Sequence, residues 1–291
     1  MKADAPASAA PEIQLPGHVR LRLTLAFEGT RYAGWQRQDG AETVQDQVEQ
    51  ALARLFSSRP NVYSSSRTDA GVHAAGMVAH VDVPHAELRF PPRKLVLAAN
   101  AWLPEDIRVM EVVRTRPNFH ARFSAKGKQY RYLIWNHAAH SPLDRHRIWH
   151  VPRTLDLAAM RAAARTLVGT HDFLAFSASP GYERRHTIRN VTRCDVRRSG
   201  PSITVFIEAD GFLYKMCRGI AGTIVQVGLG RFPPEALLPM LESRDRRLAG
   251  MTAPAHGLVL WKVYYGGTRK IQRSMPVVPP VSLVSSARPA P

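Results

Sequence analysis

Between Ser65 and Ala74 the chain concentrates groups able to do chemistry. The run Ser65-Ser66-Arg67-Thr68-Asp69-Ala70-Gly71-Val72-His73-Ala74 sets a carboxylate, Asp69, two residues after a guanidinium and two before a glycine. Glycine has no Cβ, so a ligand can come close to the backbone there, and polar loops between strands are where a scaffold holds reacting groups. A carboxylate so placed can serve as nucleophile or general base. The ordinary alternative is an Asx turn, in which Asp69 only bonds to nearby backbone, and this one segment does not separate the two.

Such a loop needs elements to hold it. Val19, Leu21, Leu23, Leu25 and Phe27 alternate with Arg20, Arg22, Thr24 and Ala26, which predicts a half-covered strand over Val19 to Phe27. Thr43 is placed to cap a helix, with Asp46 completing a capping-box pattern and Val44, Val48, Ala51, Leu52 and Leu55 on one face. Strand-like stretches at 60–66 and 77–83 flank the Asp69 loop, Pro92 to Trp102 reads as a helix, and Ile107 to Val113 as a strand. The order is βαββαβ. It recurs in the second half: strand Gln129 to Trp135, helix Leu157 to Val168, a hairpin of Ile188 to Val196 and Ile203 to Ile207 about Ser199-Gly200-Pro201, helix Phe212 to Val227, a further helix near Glu235 to Glu242, and strand Leu258 to Tyr264. The expected class is α+β: two βαββαβ halves, 18–116 and 117–267, joined edge to edge into one antiparallel sheet with helices on one face and the site in the cleft between the halves. Residues 1–17 and 268–291, rich in Ala, Pro and Ser, read as disordered tails.

The 291 residues carry 40 Lys and Arg against 23 Asp and Glu, a formal charge of +17. Lys2, Asp4 and Glu12 leave the first tail at −1, and Arg269, Lys270, Arg273 and Arg288 put the second at +4, so +14 belongs to the body. A charge of that size favours nucleic acid as partner through counterion release. No stretch reaches the roughly 18 apolar residues of a membrane span, and no basic amphipathic helix stands out. Only Cys194 and Cys217 are present, which gives neither a disulfide framework nor a CxxC metal site and predicts a reducing, cytoplasmic setting.

Arg67-Thr68-Asp69-Ala70-Gly71-Val72-His73 resembles the catalytic loop of the tRNA pseudouridine synthase A family. Gly34-Trp35-Gln36-Arg37-Gln38, Thr43-Val44-Gln45, Phe119-His120-Ala121-Arg122-Phe123-Ser124-Ala125, Tyr130-Arg131-Tyr132, Arg247 onward to Thr252-Ala253-Pro254, and Gly257-Leu258 match in the same order, over about residues 19 to 265. The resemblance implies a pseudouridine synthase fold of two linked βαββαβ halves. It implies isomerisation of uridine to pseudouridine in the anticodon stem-loop of tRNA (positions 38 to 40), a homodimer, and neither metal nor organic cofactor.

That reaction breaks N1–C1′, turns the uracil while bound, and joins C5 to C1′. By resemblance Asp69 is the catalytic carboxylate and Arg218, in Lys215-Met216-Cys217-Arg218, its cation. A carboxylate in a closed pocket needs one, since a guanidinium about 4 Å away contributes roughly 4 kcal/mol at an effective dielectric near 20. Tyr130 matches a tyrosine that stacks on the target base and takes part in loss of the C5 proton, and Leu258 an aliphatic wall of the pocket. Arg67 is placed to contact a phosphate or the flipped nucleotide, and His73 the nucleotide backbone. Unstacking the uridine costs a few kcal/mol, which phosphate contacts can supply. Candidates are Lys126/Lys128/Arg131, Arg184/Arg185/Arg189, Arg193/Arg197/Arg198 and Arg244/Arg246/Arg247, while the loop Thr30 to Gln38 reaches toward RNA with Tyr32 and Trp35 or is pinned to the body by Trp35.

Two positions depart from the family pattern. Ser66 stands where Gly usually precedes the arginine, and Gly219 where Asn often follows the Arg218 position; the first is expected to narrow the turn, the second to loosen a helix by about 0.5 to 1 kcal/mol. Two other classes fit less well. A non-catalytic RNA-recognition module would carry Lys/Arg-Gly-aromatic-Gly/Ala-Phe on a central strand, and Lys126-Gly127-Lys128-Gln129-Tyr130 departs from it. A glycoside hydrolase needs two facing carboxyl groups, and the loop supplies one.

Overall fold

The computed structural model describes residues 16–179 and 186–266. Both predicted tails, apart from Pro16 and Gly17, and Arg184 and Arg185 lie outside the described residues.

Ten strands form one sheet: β1 (His18–Phe27), β2 (Tyr63–Ser64), β3 (His73–Pro84), β4 (Ile107–Arg114), β5 (Ala125–Trp135), β6 (Trp149–His150), β7 (Gly169–Asp172), β8 (Ile188–Ser199), β9 (Ser202–Ala209) and β10 (Leu258–Tyr265). The main order is β4-β1-β3-β10-β5-β9-β8-β7, with β2 on β3 and β6 on β5. Five helices cover one face: α1 (Val44–Ala53), α2 (Pro92–Asn100), α3 (Leu157–Thr166), α4 (Met216–Gly228) and α5 (Leu237–Ser243). Alternation in the strands sorts the faces. Leu21, Leu23, Leu25, Met77, Ala79, Val81, Ile107 and Val109 are buried under the first helices, and Tyr132, Ile134, Val205, Ile207, Cys194 and Val196 under the second set. The opposite face carries Arg22, Arg131, Arg193, Phe206 and Glu208, all half-exposed.

The α+β class stands, but the sheet is mixed. β10 runs parallel to β3, pairing Val259 with His73 and Leu260 with Ala74, and β6 runs parallel to β5. The expected strand at 60–66 contracts to two residues that pair Tyr63 with His80 and Ser64 with Ala79. Because it stops there, the edge of β3 at His73 and Ala74 is open to β10, and the halves join through that gap. The strand expected at 77–83 starts earlier, at His73, directly after the Asp69 loop.

Local signals explain most boundaries. The Thr43 side chain accepts from the Asp46 backbone N–H at 3.4 Å, whereas Asp46 pairs with Arg59 at 2.6 Å. Asp156 caps α3 by accepting from Ala158 and Ala159, and Gly200, at φ 56°, turns the β8–β9 hairpin. The helix expected from Phe212 begins only at Met216, because Lys215 sits in the left-handed region at φ 59°. Phe212 instead packs edge-on against Tyr130, ring centres 5.1 Å apart. The short strands β6 and β7 went unforeseen; four residues or fewer carry too little alternation to read.

Candidate active site

The Asp69 loop is fastened at several points. Trp35 N–H donates to the Thr68 carbonyl at 3.1 Å, Val72 N–H to the Asp69 carbonyl at 3.1 Å, and Gly71 N–H to the Tyr32 carbonyl at 3.4 Å. Gly34, at φ 99°, brings its backbone so near that a Cβ there would lie 2.6 Å from the Thr68 oxygen. Tyr32 and Trp35 are buried, and the Tyr32 hydroxyl donates to Asp106 at 2.6 Å, so these aromatics pin the 30–38 loop rather than face RNA. Arg31, Gln36, Arg37 and Gln38 form its exposed side.

Across the seam, α4 delivers Arg218. Its Nη1 lies 3.2 Å from Asp69 Oδ2, with 15 % and 18 % of the two side chains exposed. Arg218 Nε donates to the Ala253 carbonyl at 2.8 Å and the Ala253 N–H to the Arg218 carbonyl at 3.0 Å, which locks the guanidinium in place before any ligand arrives. A charge-assisted hydrogen bond between largely desolvated partners is the strong kind.

Tyr130 reaches the same loop from β5. It is buried, the Ser66 side chain is a polar neighbour of its hydroxyl, and burial, with smaller contributions from Cys217 and Asp69, pushes its pKa well up, so it stays protonated at neutral pH. Ser66 thus adds a polar neighbour to the tyrosine that a glycine lacks. Leu258 opens β10 opposite Tyr132, on the face that also carries Tyr130 and Leu260. Arg67 is exposed at the rim and makes no ion pair among the described residues. The loop, Arg218, Tyr130 and Leu258 therefore converge where the halves meet.

His73 differs. Its Nδ1 accepts from the Gly29 N–H at 2.9 Å and its Nε2 donates to the His256 carbonyl at 3.0 Å, so both ring nitrogens are committed within the protein, and burial pushes its pKa down. It joins loops and presents neither nitrogen to the cleft.

Gly219 also corrects its expectation. A Cβ there would lie 2.2 Å from the Phe176 carbonyl oxygen, so glycine lets α4 pack against the turn Leu174–Phe176 instead of loosening the helix. The basic clusters sort by face. Arg131 turns away from Lys128 and stacks 3.6 Å from the Trp261 ring centre on the opposite face. Arg244 pairs with Asp172 and Arg246 bonds to Ala249, Gly250 and Thr252, which brace the fold, whereas Arg247 is exposed and pairs only with nearby Asp245. Arg193 pairs with Asp195 and Glu208 on the face that Arg131 shares. Lys128, already a candidate phosphate contact in the sequence, donates its amine to the Ser65 carbonyl at 2.6 Å; this tie to the Asp69 loop is what the sequence did not disclose, although Lys128 lies one strand period of two before Tyr130.

This geometry, a guanidinium-supported carboxylate near a buried tyrosine where β3 and β10 meet, agrees with the comparisons. A family model described as tRNA pseudouridine synthase matches residues 163–266. The tRNA pseudouridine synthase A of Bacillus subtilis is 43 % identical over 249 residues, covering 85 % of this chain and 99 % of that protein. Those of Geobacillus kaustophilus and Syntrophotalea carbinolica are 44 % and 45 % identical, each over 84 % of this chain and over 94 % and 96 % of theirs. The chain belongs to the tRNA pseudouridine synthase A family.

Proposed function

We propose that this protein isomerises uridine to pseudouridine in the anticodon stem-loop of tRNA, at positions 38 to 40, with Asp69 as the catalytic carboxylate. The carrying observation is the 3.2 Å contact of Arg218 with Asp69 at the junction of the halves. A carboxylate has three routes here: attack on the base, attack on C1′, or removal of a proton from C2′. Each begins with the ionised group, and Arg218 sets a positive charge 3.2 Å from it. When uracil has turned and C5 has bonded to C1′, the C5 proton must leave. Tyr130, protonated at rest, receives it only by passing its own proton onward as it accepts. Its ring and Leu258 wall the base, and Arg67 at the rim is free for a phosphate of the flipped nucleotide.

The reading includes a homodimer in the cytoplasm and a division into halves at 18–116 and 117–267. Among the described residues no helix is long and apolar enough to cross a membrane. The test uses tRNA tritiated at uridine C5, from which isomerisation must release label. Release by the parent and none by Asp69→Asn is the expected result. No release by the parent defeats the enzymatic reading, and equal release by both defeats the role of Asp69.

A further inference from the structure

Lys128 and Arg189 share the helix-bearing face of the sheet at the end nearest the Asp69 loop. Lys128 on β5 pairs with Ala209 on β9, and Ala209 with Val191 on β8. Arg189 lies two residues before Val191, on the same face by strand alternation. On β9 and just beyond it, the positions between the two cations are Ala209 and, two residues on, Gly211, whose ideal Cβ position is 3.4 Å from Arg189 Nε. Among the described residues β9 thus adds nothing larger than a methyl group there, with a cation on the strand at each side.

Neither cation is neutralised by an ion pair among the described residues. One donor of the Lys128 ammonium is fixed on the Ser65 carbonyl, the strut that ties β5 to the Asp69 loop, which leaves two donors. Arg189 Nη1 donates to the carbonyls of His186 and Ile188, and its nearest acidic influence, Asp210, accepts from the Asn190 N–H at 3.2 Å. Burial, then the like charges of Arg122 and Arg189, push the Lys128 amine down to about 8, so it remains mostly charged at neutral pH. Cations held together without a counter-charge cost free energy that an anionic ligand can return.

We propose that Lys128 and Arg189 form a phosphodiester-binding subsite on the floor of the cleft, which takes one backbone phosphate beside the flipped uridine. The subsite rests on the reading of the chain as a tRNA-modifying enzyme. It also gives Lys128 a second duty: the amine that holds the phosphate is bonded to Ser65, four residues before Asp69, so seating the RNA backbone bears on the catalytic loop.

The test is a double-mutant cycle in binding. Anticodon stem-loop RNAs carrying one methylphosphonate, moved through the linkages flanking the target uridine, are titrated against full-length Asp69→Asn protein and the same protein with Arg189→Gln or Lys128→Met. At one linkage, removing the phosphate charge weakens binding about tenfold, the size of one charge-assisted hydrogen bond. At that linkage either variant loses less than about twofold more, because its partner is already gone. Losses that multiply independently at every linkage overturn the subsite, as does undiminished affinity in both variants. Thermal melts identify a variant that has lost its fold, and the Arg189→Gln arm, which spares the Ser65 strut, then decides. Tritium release by the parent protein tests the enzymatic reading separately, so the two failures are distinguishable.

Discussion

Replacing Arg218 by methionine keeps an unbranched apolar stem on α4 and removes the charge beside Asp69. At the 3.2 Å separation, point charges attract by about 5 kcal/mol at an effective dielectric of about 20. The guanidinium charge is spread over several atoms and both side chains still touch water, so about 3 kcal/mol is the working figure. If that support is needed throughout the reaction, kcat falls about a hundredfold, since each 1.36 kcal/mol is about a factor of ten. Lysine at the same place keeps the charge but gives up the Nε bond to the Ala253 carbonyl, and is expected to recover part of the loss. The assay is tritium release under saturating tRNA, normalised to folded protein by circular dichroism. A methionine variant within about threefold of the parent kcat would refute the argument, for the cation would then be bracing α4 against Ala253 and no more. A fall in activity that tracks only the lost folded fraction would refute it equally.

Tyr130→Phe keeps the edge-on contact with Phe212 and removes the hydroxyl near Ser66; release is expected to fall about a hundredfold, in the range of general acid–base contributions, with RNA affinity retained. Gly219→Ala sets two effects against each other. Helix propensity favours alanine by about 1 kcal/mol, but a Cβ 2.2 Å from the Phe176 oxygen forces α4 off its seat, so a net loss of about 1 to 3 kcal/mol is expected as a lower Tm. His80 gives a pH dependence. Burial, with the nearby charges of His120 and Arg20, pushes its pKa down to about 3, and its Nδ1 accepts from the Ala121 N–H at 3.2 Å. The folded state therefore favours the neutral ring. Its contribution is fully present above the unfolded value of about 6.5 and is lost as pH falls toward about 3, about 3 kcal/mol of it by pH 4.5. Urea unfolding at pH 7 and pH 4.5 measures the difference, which should shrink by about that amount in His80→Phe.

Alternation and capping made much of the scaffold legible, because each is decided within a few residues. Leu21, Leu23 and Leu25 are buried as their period requires, and Thr43 and Gly200 stand where their backbone chemistry puts them. What failed was decided at a distance. Phe212, Leu213 and Tyr214 look like a first helical turn, yet Phe212 is claimed by Tyr130 on another strand. Gly219 looks like a weak point until the Phe176 carbonyl is placed against it. Tyr32 and Trp35 look available to RNA until Asp106 and Thr68 bind them. The site divides similarly: Asp69 lies in a readable loop, but its partner is 149 residues away, and only the resemblance linked the two.

The seam explains why the site lies where it does. β3 and β10 share two paired positions, His73 with Val259 and Ala74 with Leu260, and these are the residues immediately after the Asp69 loop and after Leu258. A slip of one residue would turn Leu258 to the other face and draw the loop away from Arg218, because strand side chains alternate. So short a pairing cannot hold register alone. His73 reinforces it, tying Gly29 to His256 beside the start of β10, as do the Arg218–Asp69 and Lys128–Ser65 contacts. The two ring nitrogens of His73 therefore act within the fold, where they help to hold β3 and β10 in register beside the Asp69 loop.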